Sequence, residues 1–417
     1  MRILKLTAAL EKRLLATRER SDIQAETVAG KIIADVRRRG DTALFFWTKK
    51  LDGMNLVRQG IWVSQREIAE AQKSVTADFL RAVKHAIRNV RKVAKKQFPR
   101  DWSMEVEPGV SIRQMVRPIE TIGCYIPGGN ATLLSTLVMT AVPAQVAGAK
   151  RIVVACARPN KELLAAAGVL RLREVARLGG AQAVAALAYG TETVPRVDKI
   201  FGPGNRFVTA AKQLVSRDCS IDLPAGPTEA VVIASRGNPN WIAADLLAQA
   251  EHAPDAVSIL VTTSTWLARE VRRETAEQLK TLPKTNAAHI SLRARGLILL
   301  AASEDAAIDF VNRFAPEHLS FPVAEAAILG KITAAGTVFV SPRAAQPLGD
   351  YASGSNHVLP TGGWARSRGG LSAADFVKCV SLQTINREGF GRLADDVRVL
   401  ARAENLLAHD NAVAVRQ

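Results

Sequence analysis

Between about residue 120 and residue 345, short runs of apolar, β-branched residues alternate with helical patterns, and that rhythm narrows the possible folds more than any other feature of the 417-residue chain. "KRIVVACA" reads as a buried strand and "KELLAAAGVLRLREVARLGG" as a helix ending at glycine; "VDKIFGPGN" is a strand plus turn, and "RFVTAAKQLV" another helix. The alternation runs on through "EAVVIAS", the helix holding Gln249, "VSILVTT", a helix over 266–282, "LILLAA", a helix over 303–313 and "GTVFVSP". Strands apolar along their whole length are covered on both faces, and a helix after each returns the chain to the edge where the next begins. The expectation is therefore α/β, with two parallel-sheet units of Rossmann-like type, one near 120–225 and one near 229–345. "YIPGGN" (125–130) and "GPGN" (202–205) are glycine turns that let a backbone approach a ligand, but Phe207 stands where a GxGxxG fingerprint needs its third glycine. Residues 1–100 and the tail beyond about 370 are mostly helical in pattern.

A chain this long exceeds one ordinary core, so at least two domains are expected. The best apolar runs, such as "GLILLAA" at 296–302, are strand-sized and too short to span a membrane. Glu11 and Lys12 follow the short apolar stretch at the N-terminus, and no small-residue cleavage site follows, which argues against a secretory signal; the scattered cysteines fit a cytoplasmic home with reduced thiols. Cys124, Cys156, Cys219 and Cys379 form no CxxC pair, so neither a zinc ribbon nor a disulfide framework is expected; each lies in or beside an apolar segment and reads as buried filler. The net charge of +17 raises nucleic-acid binding as a rival function. In the densest basic stretch, "RAVKHAIRNVRKVAKKQFPR" (81–100), Val83, Ile87, Val90 and Val93 keep helical spacing, so the cations read as the wet face of an amphipathic helix. No aromatic residues interleave with them as single-strand binding requires.

Six histidines are present: His85, His252, His289, His318, His357 and His409. Four sit in polar stretches, "QAEHAPD", "APEHLS", "DYASGSNHVLP" and "ENLLAHDNA". Asn238-Pro239 reads as a cap and first-turn proline of a helix that ends near Gln249, Glu251 and His252; Gln249 and His252, three apart, would share a face. Asp350 and His357 flank the flexible "YASGSN". Two imidazoles, a carboxylate and an amide oxygen from Gln249, His252, Asp350 and His409 would suit zinc, although spacing alone leaves unrelated capping and hydrogen-bonding roles equally open. Glu317 and His318 set two proton-transfer groups side by side near a helix end, where a cation would also be favoured by the helix dipole.

Taken together, "GCYIPGGNATLLSTLVMTAVPAQVAGAKRIV", "LGGAQAVAALAYGTETVPRVDKIFGPGN", "IDLPAGPTE", "AADLLAQAEHAPD", "RFAPEHL", "GDYASGSNHVLPT" and "AHDNAV" resemble the histidinol dehydrogenase family over nearly the whole chain. The resemblance implies a zinc-dependent enzyme that oxidises L-histidinol through L-histidinal to L-histidine with two NAD+. It implies Gln249, His252, Asp350 and His409 as zinc ligands that also face substrate, Glu317 and His318 as the acid–base pair, and Thr228, His357 and Glu404, with His318, as substrate contacts. Tyr125, Gln182 and Asn205 match the NAD contacts, and the homodimer it implies shares each site between subunits. It also implies a division into a helical extension (1–20), a discontinuous first α/β domain (21–122 with 230–367), a second (123–229) and a helical tail (368–417) reaching the partner. Glu251 matches no role and is expected to be a local partner. Glu404 and His409, five apart, lie about 140° round an ideal helix, so Asn405 is expected to break the helix with a left-handed residue. Thr228 stands where the family usually has Ser, keeping the hydroxyl and adding a methyl; a paralogue acting on another amino alcohol is the alternative that this change points to.

Overall fold

A computed structural model describes residues 1–18, 22–128, 132–223, 226–323 and 326–417. Two all-parallel sheets dominate it, as the alternating pattern predicts. The larger has six strands in the order β1 (Arg2–Lys5), β11 (Gly296–Leu300), β10 (Val257–Thr262), β9 (Glu229–Ile233), β12 (His318–Phe321) and β13 (Thr337–Val340), numbered along the chain. The smaller has five, in the order β6 (Glu174–Ala176), β5 (Arg151–Ala155), β4 (Thr121–Tyr125), β7 (Lys199–Phe201) and β8 (Ser220–Ile221). From β4 and from β9 the chain builds outward on one side and then crosses to the other, while β1 joins the six-stranded sheet at its edge beyond β11. The reversals fall between β4 and β7 and between β9 and β12. Such reversals open a crevice at the strand ends, because the connecting helices diverge to opposite faces there.

β9 is buried at all five positions and β10 at five of its six, which explains their unbroken apolar runs. Helices cover both faces. Ala25, Ala29, Ile32 and Val36 of the Ile23–Arg39 helix join the same core as Val184 and Val208. Val83, Ile87 and Val90 of the Ala77–Gln97 helix join that of Leu137 and Val142, and Val93 is half-buried, so the basic stretch is the outer face of an amphipathic helix as expected. A fully buried Ile32 contributes roughly 1.5–3 kcal/mol.

Several expectations are corrected here. Residues 1–20 are not only helical: Arg2–Lys5 pair in parallel with Leu297–Leu300 as an edge strand before the Ala8–Ala16 helix. The helices between 23 and 97 pack on the helices over 134–215 that flank the five-stranded sheet, where their apolar stripes meet, and among the described residues they make no comparable packing on the 229–340 unit. The "KELLAAAGVLRLREVARLGG" helix stops at Val169; Arg171 turns left-handed (φ 57°) and Glu174–Ala176 then pairs with β5. A third sheet, antiparallel, runs β14 (Val377–Ile385), β3 (Val110–Pro118), β2 (Trp102–Glu107). The tail therefore holds a nine-residue strand as well as helices. Its ladder joins Val380 to Met115 across the length of the chain, a pairing no local pattern announces. Cys124, Cys156 and Cys219 are buried, whereas Cys379 on β14 is exposed. Burial pushes the Cys124 and Cys156 thiols up to about 12 and Cys219 to about 11, away from nucleophilic use. Among the described residues no helix is long and apolar enough to cross a membrane.

Candidate active site

Most of the singled-out polar residues meet at the amino ends of β9 and β12, which lie side by side with Ala230 opposite His318. Thr228 immediately precedes β9, and Glu317 immediately precedes β12, whose first residue is His318. The Pro239–Ala250 helix, capped by the Asn238 side chain with Pro239 at its first turn, runs back along the sheet and delivers Gln249 to the same end. Its C-cap is Glu251, whose carboxylate accepts from Asn286 Nδ2 at 3.0 Å, the local role expected of it. Asp350 arrives from the Gln346–Tyr351 helix.

The contacts among these groups are dense. Glu317 Oε2 accepts from the Thr228 hydroxyl and, at 2.8 Å, from the Glu229 N–H. Gln249 Nε2 donates to Thr228 Oγ1 at 2.6 Å, and Gln346 Nε2 donates to Gln249 Oε1 at 2.6 Å. His318 lies between two carboxylates, with Nδ1 3.7 Å from Glu317 and Nε2 3.6 Å from Asp350. Both ring nitrogens are buried with no hydrogen-bond partner, a costly state that a bound polar ligand would relieve. Burial pushes the Glu317 carboxyl up. Burial also pulls the His318 imidazole down, but Glu317 and Asp350 outweigh it and the net shift is upward. At Asp350 burial pushes up, and the His318 ring beside it wins, holding the carboxyl below its usual range.

Two histidines have assigned tautomers. His252 is exposed at the helix end with Nδ1 2.9 Å from the Ala248 carbonyl; a carbonyl only accepts, so Nδ1 carries a proton and Nε2 is the lone-pair nitrogen of the neutral ring. A backbone carbonyl on the far nitrogen is the usual support for a metal-binding imidazole. His357 Nδ1 likewise donates to the Asp350 carbonyl at 2.8 Å, leaving Nε2 3.3 Å from Thr136 Oγ1; burial pushes this imidazole down, towards the neutral form. Thr136 belongs to the Leu134–Ala147 helix that follows β4, so His357 ties this cluster to the carboxyl edge of the five-stranded sheet.

That edge carries the second group. Tyr125 ends β4, Asn205 follows β7, and Gln182 lies in the Gly180–Tyr189 helix after β6, all around the β4/β7 reversal. The Tyr125 hydroxyl accepts from the Gly180 N–H at 3.0 Å, and burial pushes it up to about 12. Gln182 is fully buried; its Nε2 donates to Asp52 at 2.9 Å while its Oε1 has no partner. Asn205 caps the Arg206–Val215 helix through Oδ1. The 129–130 half of the "YIPGGN" turn lies outside the described residues.

Glu404 and His409 are not brought to this cluster within one chain. Both are exposed, and the Leu407–Ala414 helix that carries His409 packs on the Arg387–Ala403 helix. Asn405 has φ 57°, the left-handed break expected between them. Among the described residues no three His, Cys, Asp or Glu side chains are arranged to hold a metal ion, and His409 lies apart from Gln249, His252 and Asp350.

Sequence reasoning missed three contributors. Gln346 holds Gln249, Asp245 accepts the Gln346 N–H, and Glu229 makes a bidentate pair with Arg18 (Nε–Oε1 2.7 Å). Burial raises Glu229 to about 7 against the pull of Arg18. Their residue types are ordinary for helix and strand ends, so only their burial marks them.

A family model described as "Histidinol dehydrogenase" matches residues 15–417. The histidinol dehydrogenase of Methanothermobacter thermautotrophicus is 43% identical over 98% of this chain and 97% of its own length. That of Shigella dysenteriae is 42% identical over 98% and 95%. A crystal structure of histidinol dehydrogenase from Elizabethkingia anophelis superimposes with a TM-score of 0.92 at 36% identity, covering 100% of this chain and 98% of the other.

Proposed function

This chain belongs to the histidinol dehydrogenase family, and from that premise we propose that it oxidises L-histidinol through L-histidinal to L-histidine, with NAD+ as hydride acceptor and zinc as resident metal. The observation that carries the reading is His318, buried between Glu317 and Asp350 with both ring nitrogens unpartnered.

The donor set fits zinc: an amide oxygen, a carboxylate and an imidazole whose Nε2 pair is freed by its Nδ1 contact. Gln249, His252 and Asp350 of one subunit would hold it with His409 of a second copy. Bound there, zinc supplies an electrophilic anchor for the amine and imidazole nitrogens of the substrate. His318 would take the proton from the alcohol oxygen as hydride leaves the carbon that bears it, with NAD+ supplying the hydride acceptor, and the flanking carboxylates would stabilise the imidazolium that forms. Glu317 then takes a proton from the water that hydrates the aldehyde. Both of its described hydrogen bonds fall on Oε2, so Oε1 is left for that task. Loss of a second hydride from the hydrate, with a second NAD+ as its acceptor and the hydroxyl protons passing through the His318–Glu317 pair to solvent, would yield the carboxylate. Thr228 and His357 line the substrate, and Tyr125, Gln182 and Asn205 receive NAD+ at the neighbouring crevice, where the unpartnered Gln182 Oε1 suits a ribose or amide donor.

The reading includes a cytoplasmic homodimer in which the 368–417 tail delivers Glu404 and His409 to the partner. Exposed Leu400, Leu406, Leu407 and Val415 on the tail, with Trp102, Met104, Val380 and Leu382 on the antiparallel sheet, make the apolar surface that a second copy would cover.

NADH formation from purified protein, L-histidinol and NAD+, repeated after chelation and after zinc is restored, tests the proposal. Two NADH per histidinol, lost and regained with the metal, is the expected result. A zinc-loaded dimer that leaves histidinol untouched would point instead to another amino alcohol, the outcome that the extra methyl of Thr228 favours.

A further inference from the structure

Beside the cofactor crevice lies an ion pair that the reaction does not use. Lys212 and Asp222 are 3% and 5% exposed and bonded to each other, one on the Arg206–Val215 helix and the other just beyond β8. Between them they hold both polar ends of a single residue, Gly202. Asp222 Oδ2 accepts the Gly202 N–H at 2.7 Å, and Lys212 Nζ donates to the Gly202 carbonyl at 2.7 Å. Asp222 Oδ1 also accepts the Leu223 N–H at 2.6 Å.

Gly202 opens the "GPGN" loop at the β4/β7 reversal, with φ +114°. An added Cβ there would collide with the Tyr125 carbonyl, so the loop is pressed against the end of β4. Three residues on, Asn205 spends its side chain capping the helix that bears Lys212. The loop is thus held at its first residue by the ion pair and at its last by the cap, with the two anchors on one helix.

A buried ion pair is a poor way to gain stability, because desolvating both charges consumes most of their attraction and an apolar pair of similar volume serves as well. What an apolar pair cannot do is fix the orientation of the peptide groups that flank Gly202. We propose that Lys212 and Asp222 are positioning residues for the dinucleotide: they hold the 202–205 loop in the shape that receives NAD+ and so set cofactor affinity without taking part in hydride or proton transfer. The inference rests on NAD+ binding at this crevice.

The test uses the zinc-loaded, full-length enzyme with four variants, Lys212→Met, Lys212→Arg, Asp222→Asn and the volume-filling double variant Lys212→Met/Asp222→Leu. Readouts are NADH binding by fluorescence titration, KM for NAD+ against kcat, thermal midpoint, and amide exchange over the loop. The double variant is expected to melt near the wild-type midpoint and yet bind NADH about tenfold more weakly. Its KM for NAD+ should rise by a similar factor while kcat and KM for histidinol stay within about twofold, and exchange over 202–207 should quicken. Lys212→Arg, which keeps donors towards the Gly202 carbonyl, should recover part of the affinity. A folded double variant with wild-type NADH affinity overturns the inference and leaves the proposed reaction standing. Wild-type enzyme that binds no NADH at all overturns both.

Discussion

In the proposed reaction His318 is the residue on which the chemistry turns; its ring lies between two carboxylates and neither ring nitrogen has a hydrogen-bond partner. His318→Asn should lower kcat by roughly 100- to 10,000-fold, the range for loss of a positioned general base. Glu317→Gln should instead slow mainly the oxidation of added L-histidinal; an equal loss on both substrates would remove the division of labour proposed for the pair. Asp245 carries a separate prediction. Burial pushes its carboxyl up to about 6 against the pull of the Gln346 N–H. The unfolded chain, with an ordinary aspartate near 3.9, therefore binds fewer protons than the native one between roughly pH 4 and 6, and stability falls as pH rises through that window. The deficit is complete above about pH 6. Asp245→Asn should raise stability at pH 7.5 by about 1–3 kcal/mol and change little near pH 4, as read from urea midpoints at the two values. The same gain at both would refute the assigned titration.

At the scale of elements, the break at Asn405 lets the long Arg387–Ala403 helix and the short Leu407–Ala414 helix carry Glu404 and His409 in different directions. Leu406 N–H returns to the Ala401 carbonyl at 2.8 Å and Asn405 N–H to Arg402 at 3.0 Å, which satisfies carbonyls at the end of the Arg387–Ala403 helix. Asn and Gly tolerate the left-handed conformation, whereas a β-branched residue clashes there. Asn405→Gly should be nearly neutral. Asn405→Val should cost about 1–2 kcal/mol in a thermal melt and, by turning the Leu407–Ala414 helix, reduce zinc retained after dialysis. Unchanged zinc content with the expected loss of stability would separate the cap from the metal site. The amphipathic and parallel elements were readable because their periods are local. The antiparallel sheet was not, since its strands pair residues 110–118 with 377–385 and stay largely exposed on β2 and β14.

On the whole-molecule scale, the proposed ligand set is split: Gln249, His252 and Asp350 come from one end of the six-stranded sheet, and His409 is exposed on the tail. If the partner's tail completes it, two inactive variants should complement each other. His252→Ala and His409→Ala subunits, unfolded together and refolded as an equal mixture, form heterodimers that hold one intact site each, so about a quarter of wild-type activity should return. No recovery, with heterodimers verified by mass, would mean that each chain builds its site alone. The apolar face of the tail predicts in addition that truncation after residue 385 yields a protein that no longer dimerises, measurable by sedimentation.

Two parallel sheets, the helix ending at Gln249, the left-handed Asn405 and the chemical types at the site could all be read from the chain, because each depends on neighbours a few residues away. Spacing alone left Gln249, His252, Asp350 and His409 undecided between ligands and local hydrogen-bonding roles. Folding decided what distance along the chain hides. Helices 23–97 pack on the helices that flank the five-stranded sheet because the apolar stripes match, Glu317 and Thr228 meet because β9 and β12 are adjacent, and Gln346 grips Gln249 across 97 residues. Burial then shifts carboxyls such as Glu317 upward, an effect that belongs to the packed site and to no single residue within it.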